Sequence, residues 1–317
     1  MKSKKFSRQT DLIDELTAER LRNLADKYEI VSFTEQDPSQ FLKWYKNSKT
    51  DSELAAFLAA MLAFGNRKQF IPKIEQILKT ADDSSGSFSR WLLSGRYKID
   101  FPYGDKKFYR FYSYDDMHIF FGEITDILNG TPDIGEKDSG EADCGALNSG
   151  KANCGALNSG KADCGALNSG KADCGALNSG KADCGALGEF FRERWYKKID
   201  TSEDLADIIA RSFPKSKLVP KGKTSACKRT YMFLRWMVRK NSPVDLGLWD
   251  WYSPQKLLIP LDTHVMQEAI KIGILDEKST ASRKTARILT NEMERIFPED
   301  PVRADYALFG LGIDTER

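Results

Sequence analysis

Between Arg211 and Lys240 the chain carries ten basic side chains and no acidic one: Arg211, Lys215, Lys217, Lys221, Lys223, Lys228, Arg229, Arg235, Arg239 and Lys240. The whole 317-residue protein has a formal net charge of only +2, so this stretch stands out against a near-neutral background. A phosphate backbone selects such a run, because each neutralised phosphate releases condensed counterions. At about 100° per residue, Lys228, Arg235 and Arg239 fall within about 40° of one another on a helix. Cys227, Tyr231, Leu234 and Val238 form an apolar stripe roughly 80° away, so the charge is sorted onto a face. The alternative is that the two arginines pair internally, with Asp245 or Asp262 as partners. Ahead of this helix, Leu218-Val-Pro-Lys-Gly-Lys-Thr-Ser-Ala-Cys-Lys-Arg229 reads as a turn leading to Ser225 as N-cap. Backbone N–H groups at such a start, with Lys221, Gly222 and Lys223 beside them, can hold a phosphate.

A second candidate is Asp262, in Pro260-Leu-Asp-Thr-His-Val265, just before an amphipathic segment with Val265, Met266, Ala269 and Ile270 on one side. The plain role of Asp262 is helix N-cap. A capping carboxylate is held rigidly, and rigidity is also what a catalytic carboxylate requires. His264 reads as a surface or phosphate-contacting histidine. With His118 it makes only two histidines in the chain, which argues against multi-histidine metal chemistry. No metal or cofactor is expected.

Five of the six cysteines, Cys144, Cys154, Cys164, Cys174 and Cys184, recur every ten residues. That spacing matches neither zinc nor iron–sulfur ligand sets. It belongs to a tandem decapeptide, Asn-Ser-Gly-Lys-Ala-Asp-Cys-Gly-Ala-Leu, repeated from Asn148 to Leu187 after a partial copy. Two glycines and one leucine per unit give little to pack, so residues 140–188 are expected to form a flexible low-complexity insertion. A short solenoid is the other possibility.

The elements that must position Lys228 and Asp262 read as helices. Thr10 to Ile30 is amphipathic. Asp51 to Phe64 is apolar nearly all round, as expected of a central helix ended by Gly65-Asn66. Lys68–Lys79, Ser113–Leu128 and Thr201–Ser212 follow, then helices near 226–240, 263–272, 280–296 and 301–311. No alternating run lasts more than a few residues, so the expected fold class is all-α. No stretch approaches 18 apolar residues and no apolar signal core follows the basic start, so no membrane partner is expected and the location is expected to be cytoplasmic.

The order of these pieces resembles the helix-hairpin-helix (endonuclease III-like) DNA glycosylases. An apolar helix sits early, Pro220 to Arg239 stands where the hairpin and its helix would be, and Leu261-Asp262-Thr263-His264-Val265 follows. Asp300-Pro-Val-Arg-Ala-Asp-Tyr-Ala-Leu-Phe-Gly-Leu-Gly312 closes the chain. A narrower, largely uncharacterised bacterial family resembles it more closely through Ser225-Ala-Cys-Lys-Arg229, Arg235-Trp-Met-Val-Arg239, Val244-Asp-Leu-Gly-Leu-Trp249 and the Pro-Leu-Asp-Thr-His block. The resemblance implies two helical lobes around a cleft: residues 1–50 with 254–317, and residues 51–253 carrying the hairpin and the insertion at 140–188. It implies a monomeric nucleic-acid-binding protein of the base-excision type, with duplex DNA as partner. Asp262 and Lys228 would be the catalytic pair of a DNA glycosylase, with or without lyase activity. Lys221, Gly222, Lys223, Ser225, Arg229, Arg235, Arg239 and His264 would bind nucleic acid. Whether Lys228 or Arg229 faces the cleft stays open. Trp249-Asp-Trp251-Tyr252 is expected to pack in the core, with base stacking as its alternative. The competing functions are a non-catalytic nucleic-acid module of the same fold and a protein-interaction module using the basic helix.

Overall fold

A computed structural model describes residues 13–130, 184–197 and 204–315. The described body is mostly helical. At its centre lies α2 (Lys49–Leu62), in which every residue from Asp51 to Leu62 is buried. Its alanines allow neighbours to approach on every side: α9 (Lys228–Val238), α3 (Arg67–Ser85), α4 (Phe88–Leu93), α7 (Ala186–Lys197) and a 3-10 turn at Pro38–Lys43. Phe57 of α2 meets Phe120, Phe213 and Phe233, which gathers α6 (Tyr114–Leu128), the 213–227 loop and α9 onto one core.

The terminal segments close on each other. The first helix, α1 (Glu15–Tyr28), lies along α12 (Ala304–Thr315), and α12 also packs on α10 (Thr263–Lys271). Gly310 permits this close approach, since a Cβ there would run into the Tyr28 ring. The remaining helices are α5 (Tyr97–Asp100), α8 (Leu205–Ser212) and α11 (Arg283–Glu294). Most expected helix ends hold to within a few residues; α3 runs six residues past Lys79, the expected start at Thr10 lies outside the described residues, and α4, α5 and α7 were not expected. Ser113 caps α6 with a reciprocal capping box, Asp204 caps α8 and Asp262 caps α10. No described helix is long and apolar enough to cross a membrane.

Three features depart from expectation. First, a small antiparallel hairpin, β1 (Lys107–Tyr109) and β2 (Tyr112–Ser113), interrupts the helical order. Its two-residue turn places Arg110 at φ 50°, a conformation that costs a non-glycine residue about 1–2 kcal/mol.

Second, Ser225 is not the N-cap of α9. That position is Cys227, itself left-handed at φ 44°, and Ser225 Oγ accepts the Cys227 N–H at 3.3 Å. The loop is pinned instead to α11, through a Ser225–Ser282 bridge and the Arg283 N–H donating to Thr224 O.

Third, the end of the decapeptide array is part of the body. The insertion up to residue 183 lies outside the described residues, but Cys184 and Gly185 lead directly into α7, whose first residues are the last of the array. Buried Glu53 accepts the Gly185, Leu187 and Gly188 N–H groups at 2.8, 3.0 and 3.1 Å, and the Trp249 indole N–H at 2.7 Å. The carboxylate thereby satisfies backbone N–H groups at the start of α7. Burial still pushes the Glu53 carboxyl up to about 7, against the pull of those four donors. Gly185 and Gly188 are obligatory here, because a Cβ at either would lie 2.6 to 2.7 Å from the Glu53 carboxylate.

Candidate functional site

Lys228 is the first residue of α9, and Asp262 is the N-cap of α10. The two helix starts face each other, and the side chains meet. Asp262 Oδ1 accepts the Val265 N–H at 2.9 Å, while Oδ2 lies 3.0 Å from Lys228 Nζ. One oxygen therefore caps the helix, and the other is turned to the ammonium. Burial tends to raise the Asp262 pKa. The Lys228 charge and the Val265 N–H outweigh it and hold the carboxyl below its ordinary value, so it is ionised near neutrality. Both side chains keep about a third of their surface exposed.

That exposure opens into a cavity of about 570 Å³. Its lining brings Lys228, Arg229, Ser225 and Asp262 together with Phe64, Gly65, Arg67 and Asp37. Lys228 and Arg229 thus both face it. Arg229 is the more constrained of the two: its guanidinium donates to Met61 O and, at 3.2 Å, to Tyr112 Oη, and lies 5.1 Å from the Phe64 ring centre. A smaller recess adjoins, sharing Asp37, Arg67, Lys228, Met232 and Asp262 and walled by Phe33, Tyr306 and Phe309. Arg67 joins the two spaces, 3.6 Å from Asp37 and 5.7 Å from the Phe309 ring centre.

The other basic residues divide into two groups. Lys221, Gly222 and Lys223 are exposed beside the cavity wall. Lys221 Nζ donates to Pro214 O at 2.7 Å, and Gly222 uses a left-handed φ of 108°. His264 is exposed on the first turn of α10.

Arg235 and Arg239 are placed differently from the sequence reading. They are only 6% and 2% exposed, and their guanidinium groups are turned to buried carboxylates. Arg239 meets Glu29 and Asp300 at 2.7 Å each and also Asp245. Arg235 meets Asp305, lies 3.6 Å from Asp245, and stacks over Tyr306 at 4.4 Å. Their face of α9 is polar because it packs on a buried ion network that ties α9 to α1 and α12. Of the two internal partners considered, Asp245 is one, whereas Asp262 pairs with Lys228 instead. Trp249 is fully buried, stacked on Trp251, in keeping with a core role.

Sequence reasoning missed Asp37, Phe64, Arg67 and the Arg110-Phe111 turn, which the fold brings to this cavity and its edge. A Phe-Gly-Asn-Arg break straight after a buried helix was the available signal for two of them.

With this geometry in place, the chain can be compared with known proteins. Residues 37–139 and 175–314 match the family described as Protein of unknown function (DUF2400). The chain belongs to that family. The match spans both Lys228 and Asp262, and it breaks off across residues 140–174, inside the repeat. Residues 142–181 are similar to Pentapeptide repeats, in eight copies. The decapeptide is therefore two pentads, Ala-Asp-Cys-Gly-Ala and Leu-Asn-Ser-Gly-Lys, whose differing side chains conceal the shorter period. No curated protein and no solved structure matches the chain.

Proposed function

We propose that this protein binds DNA and acts as a base-excision glycosylase, with Asp262 as the catalytic carboxylate. The observation that carries the reading is the Lys228–Asp262 pair, 3.0 Å apart on the wall of a cavity roomy enough for a nucleobase. Exposed Lys221 and Lys223 stand beside that cavity to receive phosphates. A nucleotide turned out of the duplex would enter the cavity at a cost of a few kcal/mol. As the bond between sugar and base breaks, positive charge grows on the sugar ring. The ionised Asp262, already held by the Val265 N–H, opposes that charge without reorganising. Water then adds to the sugar carbon, and its proton passes to solvent or to the departing base.

The same geometry speaks for a water-using enzyme over an amine-using one. An amine nucleophile must aim its lone pair at the sugar carbon, and here Lys228 Nζ is engaged by Asp262 Oδ2 at 3.0 Å. Lys228 is then a phosphate or sugar ligand that leaves Asp262 when DNA binds. The second reading, a nucleic-acid module without catalysis, draws on this same neutralised pair: two opposite charges that satisfy each other serve structure alone.

Asp262→Asn tests the choice. Asparagine is also a good N-cap, so the fold should survive with a change of about 1 kcal/mol or less. Base release from a panel of damaged duplexes should fall by orders of magnitude while binding holds or tightens. Base release at the wild-type rate, or unfolding, would reduce Asp262 to a helix cap. Borohydride trapping on the same panel should yield no adduct. An adduct lost in Lys228→Ala would restore the amine route.

A further inference from the structure

The edge of the cavity carries a device that bond cleavage does not use. Arg110 and Phe111 form the turn between β1 and β2. Phe111 is 58% exposed, and Arg110 is exposed and held at positive φ. The turn is fixed in place. Tyr109 Oη donates to Phe64 O, and Gly65 leaves room that a Cβ would take from the Arg110 guanidinium.

Phe111 stacks on Phe64, with ring centres 5.0 Å apart and planes 29° apart. Phe64 lines the cavity, so the stack runs from the interior of the site to its outer edge. The Arg110 guanidinium lies 5.5 Å from Phe64 and 5.9 Å from Phe111. An arginine held in a left-handed turn costs folding free energy, and here it stands beside an aromatic stack at a cavity mouth; a strained residue so placed points to a ligand.

The chemistry of that ligand follows from the surface. It offers an aromatic face edged by a guanidinium, with Arg67, Lys228 and Arg229 close by and only Asp37 and Asp262 opposing them. Flat π-systems carried on an anionic chain fit this, which describes a nucleobase on its phosphate backbone. Stacking on aromatic and guanidinium faces accepts any base, since each has a π-face.

We propose that Arg110 and Phe111 form a stacking surface for an unpaired nucleobase at the mouth of the Lys228–Asp262 cavity. The proposal rests on the nucleic-acid reading above and adds to it a preference for DNA in which one base has lost its partner. Phe111 would lie against the unpaired base, and Arg110 would hold the ring of Phe111 and the neighbouring phosphate. The surface positions the strand and takes no part in bond breaking.

The test compares two duplexes of one sequence, one intact and one with a single abasic site opposite a normal base. Binding is measured by fluorescence anisotropy for the full chain and for Phe111→Ala and Phe111→Trp. Thermal unfolding is followed alongside, so that the stability lost with the Phe64–Phe111 stack is separated from any loss of binding. Loss of one base–aromatic stack should weaken binding of Phe111→Ala to the abasic duplex by about tenfold, but to the intact duplex by less than about twofold, with Phe111→Trp restoring wild-type affinity. Equal affinity of wild type and Phe111→Ala for the abasic duplex would overturn the proposal, as would equal losses on both duplexes. In either case, salt-dependent binding by the wild type would leave the nucleic-acid reading standing. If the wild type binds neither duplex, that reading falls and the stacking surface falls with it.

Discussion

Removal of the Glu53 side chain should be among the most damaging single changes in this protein, although Glu53 lies in a helix that reads as plain apolar core. In the folded state its carboxylate accepts four N–H groups, three of them from the backbone at Gly185, Leu187 and Gly188 and one from Trp249. Glu53→Ala leaves all four donors buried with nothing to accept them. A buried unsatisfied donor costs about 1–3 kcal/mol. Water entering the vacated space recovers part of this, and the charged group's own desolvation cost disappears, so the low end applies. Four donors at about 1 kcal/mol each give about 4 kcal/mol. For a body of this size that corresponds to a fall in melting temperature of roughly 8–16 °C. Differential scanning calorimetry reads the total, and amide hydrogen exchange over Leu187–Phe191 shows whether α7 is the part that loosens. The companion variant replaces residues 140–174, the stretch outside the family match, by a short Gly/Ser linker and should melt within about 2 °C of the parent, since it leaves the Glu53 donors in place. A Glu53→Ala protein that melts with the wild type, or a linker variant that melts many degrees lower, would refute the reasoning.

Other expectations concern charge. Arg239→Ala removes the cation shared by Glu29, Asp245 and Asp300, leaving Arg303 and Arg235 to hold the first two, and should cost about 3 kcal/mol in urea unfolding, with nucleic-acid affinity per folded molecule unchanged. Replacing Lys221 and Lys223 together by alanine should lower the slope of log affinity against log salt by about two units, and an unchanged slope would place the phosphate contacts elsewhere. Asp262 has its folded pKa depressed below 3.8, so the stability that its ion pair contributes is present above pH 3.8 and is lost as pH falls through the lower folded value. Any base-release activity should accordingly show no acid limb from Asp262 between pH 7 and 4, and a limb in that range that disappears in Asp262→Asn would contradict the assignment.

What could be read from the sequence follows the range of the forces involved. Asp262 and the helix it caps were legible because capping is settled within four residues, by one carboxylate and one N–H. The central helix was legible because its composition alone requires burial on all sides. Arg235 and Arg239 were misplaced for the opposite reason. A helix face rich in arginine looks the same whether it meets water, phosphate or buried carboxylates. Apart from Asp245, the carboxylates that decide the matter, Glu29, Asp300 and Asp305, lie more than sixty residues away in sequence. The Arg110-Phe111 turn escaped notice because it breaks the local rule: a position with φ 50° favours glycine or asparagine, and without either there is no turn signature to find. Glu53 was hidden by the residues around it. Its backbone partners lie at the end of the insertion, more than 130 positions later, and their glycines looked like one more turn of a low-complexity repeat. The family match, resuming at residue 175, takes in those glycines and so separates the end of the array that the fold requires from the copies before it. Lys228 needed both kinds of information. Its charge was plain from the sequence, but only the approach of two helix starts, α9 and α10, shows that its side chain meets Asp262.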